Sequence, residues 1–167
     1  LLEEGIELRR SGLERPILVL GPGRGREIPP FQRHRLTPSI SSREQLREWG
    51  EATAGDSSPQ ELHLKVDTGM TRLGLAPDEL PGALTFLRRH PRLRMTGLLS
   101  HFADADDLAS GRPAEQERAF AALLELLEPE ERAGVLVHLA NSAGALHRAA
   151  SRHALVRLGL SLVGYDP

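Results

Sequence analysis

Six apolar runs of strand length punctuate the chain: 16-PILVLG-21, 35-RLTPSIS-41, 62-LHLKVDTG-69, 94-RMTGLLSHF-102, 135-VLVHLANS-142 and 155-LVRLGLSLVG-164. Most are near-continuous instead of alternating, as expected of parallel strands buried on both faces. Helical patterns fill the intervals. In 42-SREQLREWGEATAG-55, Ser42 is placed to cap and Gly55 to stop a helix. In 77-PDELPGALTFLRRH-90, Pro77 suits the first turn, the acids the positive N-terminal end and the bases the other end. The clearest, 113-PAEQERAFAALLELLEPEE-131, puts Phe120, Leu123, Leu124 and Leu127 on one face and ends at Pro129. Repeated strand–helix alternation with short loops predicts a parallel α/β fold.

A doubly wound sheet and a closed barrel both alternate in this way. Polar residues favour the barrel. Lys65 and Asp67, Ser100 and His101, Asn141 and Ser142, and Arg157 all fall at or just beyond the C-terminal ends of successive runs. Barrels of the (β/α)8 type build their sites at that rim. The expected architecture is a parallel (β/α)8 TIM-type barrel, incomplete, with about six strand–helix units in one domain over 1–167. The stretch 21-GPGRGREIPPFQ-32 is the most loop-like, and 21-GPGRGR-26 lacks the lysine of a phosphate-binding P-loop, so it reads as a turn.

Composition removes several function classes. A formal charge of −2 argues neither for nucleic acid nor for an anionic membrane surface, and 4% aromatics leave little for base stacking. No run reaches the ~20 apolar residues of a membrane span. Without cysteine there is no disulfide framework or thiolate metal site. The first residue, Leu1, lies in a helical pattern, LLEEGIELRRSG, and no signal peptide precedes it, so the start is expected to be a cut inside a larger protein.

Lys65 is the only lysine; the other 20 basic residues are arginine. Strand period puts Leu62, Leu64 and Val66 on one face and His63, Lys65 and Asp67 on the other. An amine inside a barrel is costly unless paired or neutralised, and unlike a guanidinium it can lose its proton. Three roles fit: a Schiff base to a carbonyl, a metal-bridging carbamate, or a carbamate serving as an anion. In the turn 67-DTGMTRLG-74, Arg72 either pairs with Asp67 to close the loop or holds an oxyanion bidentately. His101 ends another strand, and His138 reads as structural. His63, Lys65, His101 and His138 resemble the ligand set of a binuclear metallohydrolase, yet the H-x-H pair of that class is missing and no metal is expected. Asn141-Ser142-Ala143-Gly144 opens a helix, either as a simple cap or as a phosphate cradle, and 157-RLGLSLVG-164 brings glycine amides to the same rim.

In this order, HLKVDTGMTRLGL, TGLLSHFADAD, HLANSAGAL and VRLGLSLVGYDP resemble the N-terminal barrel domain of alanine racemases. The opening ELRRSGLERPILVLG and the pair Gln116 and Phe120 fit as well. The resemblance implies a pyridoxal 5'-phosphate cofactor and interconversion of L- and D-alanine, supplying D-alanine for peptidoglycan. Lys65 matches the family's carbamylated lysine, which orients Arg72. Arg72 matches the arginine that contacts the cofactor's phenolic oxygen and the substrate carboxylate. His101 matches the histidine bonded to the arginine at Arg157, which faces the pyridine nitrogen. Ser142 with the backbone of Gly159 and Leu160 matches the phosphate grip, with Asn141 beside them. A cytoplasmic homodimer is implied, with neither nucleic acid nor membrane as partner. The family's Schiff-base lysine lies in an upstream segment and its opposing tyrosine in a C-terminal β-domain. Neither is matched here, so this chain alone is expected to be inactive. A non-catalytic cofactor-binding relative, and a Schiff-base aldolase or a metallohydrolase barrel using Lys65, are the alternatives.

Overall fold

The computed structural model describes every residue except Asp56. Five parallel strands form one sheet: β1 (Leu18–Val19), β2 (Thr37–Ile40), β3 (Gln60–Lys65), β4 (Leu93–Leu99) and β5 (Leu136–His138). Their order is sequential, β1-β2-β3-β4-β5. Every crossover therefore steps the same way round, as in a barrel, with none of the order reversal that defines a doubly wound sheet. Between the strands lie α1 (Leu2–Arg10) ahead of β1, α2 (Ile28–Arg33), α3 (Arg43–Ala52), α4 (Leu80–Arg89), α5 (Arg112–Leu124), α6 (Pro129–Gly134) and, after β5, α7 (Ser142–His147).

The core is the layer between strands and helices. Leu62, Leu64 and Val66 turn outward into it with Leu80, Leu84, Leu98, Phe102 and Phe120. Each large apolar side chain fully buried there contributes about 1.5–3 kcal/mol. His63 and Lys65 occupy the other face of β3, the barrel interior, and are buried there too. The expected helical face of α5 is borne out for Phe120, Leu123 and Leu124, which are buried; Leu127 is buried too but lies beyond the end of the helix.

Four expectations need correction. The sixth run is not a strand. Ala154 N–H reaches Val137 O (3.1 Å) and Arg157 N–H reaches Ala140 O (2.9 Å). Those bonds recur every third residue, whereas a parallel ladder needs every second, so the side-chain alternation is lost and the segment passes into a 3-10 turn at Leu160–Val163. Gly55 does not stop α3. The helix ends at Ala52, and Thr53 Oγ1 bonds back to Trp49 O. Pro129 does not end α5, which stops at Leu124; it opens α6, where its missing N–H costs nothing. The loop-like stretch 21–32 contains a 3-10 turn at Gly25–Glu27 and then α2, whose Ile28 and Phe31 are buried. Trp49 Nε1 and Gln45 Nε2 both donate to Gly23 O and hold that segment on α3.

Candidate functional site

The turn after β3 is organised by one carboxylate. Asp67 Oδ1 accepts the N–H groups of Gly69 (2.8 Å) and Thr71 (3.0 Å), and Oδ2 accepts that of Arg72 (3.0 Å). These amide bonds hold its pKa below the ordinary carboxylate value despite burial. The loop is clamped below by Leu75 N–H to Lys65 O and Asp67 N–H to Leu75 O. Gly74, at φ +140, lies so close to the strand that a Cβ would fall 2.6 Å from the Asp67 nitrogen, so only glycine fits. Thr71 sits at φ 55, a costly region for a β-branched residue. Asp67 thus spends its oxygens on amides, and the Arg72 guanidinium does not pair with it.

Lys65 ends β3 with 8% of its surface exposed. Burial lowers its amine pKa first, the charges of Arg72 and Arg157 lower it further, and Asp67 only partly opposes them. Among the described residues no carboxylate lies within ion-pairing distance of Lys65, Arg72 or Arg157. Three cationic side chains therefore share a rim without a counter-ion.

Arg157 is the hub. Its Nη2 donates to Ser100 O (2.6 Å), Leu139 O (3.0 Å) and His101 Nδ1 (3.2 Å), and its Nη1 donates to His138 Nδ1 (2.8 Å). Burial brings its pKa down to about 10, still protonated at neutral pH. A guanidinium only donates, so Nδ1 of His138 must accept and its ring proton must sit on Nε2. That proton points at His63 Nδ1, 2.9 Å away, which fixes His63 in the same tautomer. Burial, then the Arg157 charge, pushes His101 down to about 4 and His138 to about 3; burial dominates for His63 as well, at about 4. All three rings are neutral near pH 7. Both nitrogens of His138 and the Nδ1 of His63 and of His101 are turned to the guanidinium or to a neighbouring ring. Among the described residues no group of three or more histidine and acidic side chains is placed to hold a metal ion.

Beyond β5, Asn141 and Ser142 take separate tasks. Asn141 Oδ1 caps α7 by accepting Gly144 N–H at 2.9 Å. Ser142 Oγ instead accepts Gly159 N–H (2.9 Å) and Ser161 N–H (3.3 Å) across the rim. Ser142 and the turn it gathers border an open cavity of about 310 Å³, whose lining also includes His101, Asp106, Asn141, Arg157 and Leu160. Gly144 makes room, because a Cβ there would stand 2.8 Å from the Phe102 ring. This donor set suits a phosphate, and Arg157 beside it suits a ring nitrogen acceptor, so the residues fit a phosphorylated pyridine cofactor.

Two supports escaped the sequence reading. The β3–β4 register slips between Leu62 and His63, pairing Leu62 with Met95 but His63 with Gly97 and leaving Thr96 as the extra residue. Gly97 then lies directly under the His63 ring, with space for no side chain. Gln116, noted only as part of a resemblance, is buried in α5 with its amide turned toward the rim. A glycine inside a strand run was the one available signal for the first, and a glutamine on an apolar helix face for the second.

The chain matches the family Alanine racemase, N-terminal domain, over residues 1–167. It is 37% identical over 167 residues to the alanine racemase of a Synechocystis species, covering 99% of this chain and 45% of that protein. It is 36% identical to alanine racemase 1 of Bacillus subtilis, covering 100% of this chain and 42% of that protein. Among solved structures, the alanine racemase from E. faecalis superposes with a TM-score of 0.91 at 33% identity, over 100% of this chain and 45% of that one. The alanine racemase from Bacillus anthracis with bound L-Ala-P gives a TM-score of 0.86 at 33% identity, over 99% of this chain and 43% of that one. The chain spans less than half the length of these relatives, and its five sequential strands are an incomplete α/β barrel of the TIM type. Matched along its whole length, it belongs to the alanine racemase family as an N-terminal domain sequence.

Proposed function

We propose that this chain forms the cofactor cradle of a pyridoxal 5'-phosphate-dependent alanine racemase, which interconverts L- and D-alanine and supplies D-alanine for peptidoglycan. The observation that carries the reading is the rim itself: Lys65, Arg72 and Arg157 stand together without an ion-paired carboxylate, near the cavity bordered by Ser142 and the Gly159 turn that it ties down. Such a rim calls for anions, and a phosphorylated cofactor with an amino-acid carboxylate supplies them.

When bound, the cofactor supplies an electron sink that acidifies the α-carbon of an amino acid. The residues of the chain do the rest by holding. Ser142 Oγ and the amides of Gly159 and Leu160 would hold the phosphate, with Asn141 shaping the turn beneath them. Arg157 would face the pyridine nitrogen as a donor and, with a pKa of about 10, keeps its own proton. His101 is neutral and backs the guanidinium from behind. The lowered pKa of Lys65 keeps a fraction of the amine unprotonated, so it adds to carbon dioxide. A nitrogen–carbon bond forms, one proton leaves to solvent, and a carbamate anion results. That anion orients Arg72, which then holds the substrate carboxylate. The full-length protein is assigned to the cytoplasm as a homodimer, in keeping with relatives named as bacterial alanine racemases. Among the described residues no helix is long and apolar enough to cross a membrane.

The test is alanine racemisation by the full-length protein and by its Lys65→Ala and Lys65→Arg variants, with and without acetate. Wild type should racemise alanine and show a carbamate 13C resonance from labelled bicarbonate. Lys65→Ala should lose activity and partly regain it with acetate, which returns negative oxygens to the vacated space. Full activity in Lys65→Arg would refute the carbamate. Borohydride trapping on Lys65 would favour the Schiff-base aldolase, which gives the phosphate donors no task.

A further inference from the structure

One side chain joins the two loops that carry Arg72 and His101. Gln116 lies in the second turn of α5 and is 3% exposed. Its Oε1 accepts Ala103 N–H (2.9 Å), and its Nε2 donates to His101 O (3.0 Å) and Thr68 Oγ1 (3.2 Å). Both amide hydrogens and the carbonyl are thereby used. Thr68 precedes the amides gathered by Asp67 and belongs to the Arg72 turn; its hydroxyl lies 2.8 Å from Ser100 Oγ at the end of β4. Gly69, at φ +140, packs on the Gln116 stem, where a Cβ would meet Cγ at 3.4 Å. The helix is itself fixed, because Phe120, one turn further on, is fully buried in the core.

A buried glutamine that only satisfied its own loop would bond 101–103 and stop there. Gln116 also reaches the neighbouring strand's turn. We propose that Gln116 is a positioning residue: its carboxamide sets the placement of the Arg72 turn relative to the His101–Arg157 pair. In the reading above, on which this rests, that placement is the separation between the group holding the substrate carboxylate and the groups holding the cofactor ring. Thr68 is the receiving half of the clip. Misplacement of about 1 Å at such a site costs up to a hundredfold in rate.

The experiment uses full-length protein with Gln116→Leu, Thr68→Val, the double variant, and Thr68→Ser. Two readouts are taken: hydrogen exchange of amides 68–73, and steady-state kinetics with cofactor affinity measured separately. Both single variants should speed exchange across the turn. They should raise KM for alanine and lower kcat/KM about tenfold to a hundredfold, with cofactor affinity unchanged within about twofold because the phosphate grip is untouched. The double variant should lose less than the sum of the two single losses, since the shared Gln116–Thr68 bond cannot be lost twice, although Thr68→Val also gives up the bond to Ser100. Thr68→Ser, which restores the hydroxyl, should recover both readouts. If Gln116→Leu does not fold, the Thr68 pair alone decides. Unchanged exchange at 68–73, or additive losses, would overturn the clip. Absence of racemisation in wild type with faster exchange in the variants would instead sink the proposed function and leave the clip standing.

Discussion

Gly97→Ala is a methyl group added at the most crowded point under the site. A Cβ at 97 would stand 2.3 Å from His63 Nδ1 and 2.5 Å from the adjoining ring carbons. Ordinary heavy-atom contact needs about 3.5 Å, so the ring would have to withdraw by roughly 1 Å. Nδ1 is the atom that accepts from His138 at 2.9 Å, and that stretch takes the pair beyond hydrogen-bonding range. His138 is fully buried and is held on its other side by Arg157, so it does not follow. Its Nε2–H is then left unpaired, at a cost of about 1–3 kcal/mol. Overpacking adds a further 1–3 kcal/mol or so. Together, Gly97→Ala should destabilise the full-length protein by about 2–6 kcal/mol, read from urea denaturation. The same substitution in a His63→Ala background, where the ring is gone, should cost less than about 1 kcal/mol. Equal cost in both backgrounds would show that the His63 ring is not what the added methyl meets.

Three further outcomes follow from the site. The folded pKa values near 4, 3 and 4 of His63, His138 and His101 lie below their ordinary 6.5. The unfolded chain therefore binds protons first, so stability should fall as pH drops from about 6.5 toward 4. Urea midpoints at pH 7 and pH 5 would check this, with a shallower slope expected in His63→Ala. Ser142→Ala should weaken cofactor binding by about 1–3 kcal/mol, measured as Kd by fluorescence titration. An unchanged Kd would reduce Ser142 to a tie for Gly159. Thr71→Gly should stabilise by about 1 kcal/mol through relief of a left-handed backbone, and a lower melting temperature would contradict that.

What the sequence disclosed was largely what local pattern controls. Near-continuous runs located five strands, and the placement of Lys65, His101, Asn141 and Ser142 at or past their ends favoured the barrel. Failure came where an apolar stretch lacked a regular partner. The run at 155–164 has strand composition, yet with bonds three residues apart it forms no ladder, and no property of its own residues shows that. Pro129 was ambiguous by nature, since the same missing N–H that ends one helix suits the start of another. His138 was read as structural, which overlooked its contact with Arg157; only the sheet brings residues 63, 138 and 157 together. Gln116 stood out as a glutamine on an apolar helix face, but its partners stayed hidden, because they lie on two loops that sequence spacing does not relate.

The Arg157–His138–His63 chain has a polarity. Every N–H in it points away from the guanidinium, outward through the barrel interior. For a proton to travel inward along these rings, His138 would have to accept one at Nε2, which already carries its hydrogen, and release one from Nδ1, which carries none. The chain is therefore wired as a one-way stop: it conveys the electrostatic pull of the guanidinium but cannot relay hydrogen ions to it. If the proposed racemase chemistry holds, a proton moved between two faces of one carbon at this rim would find no relay through His138 and His63 beneath it.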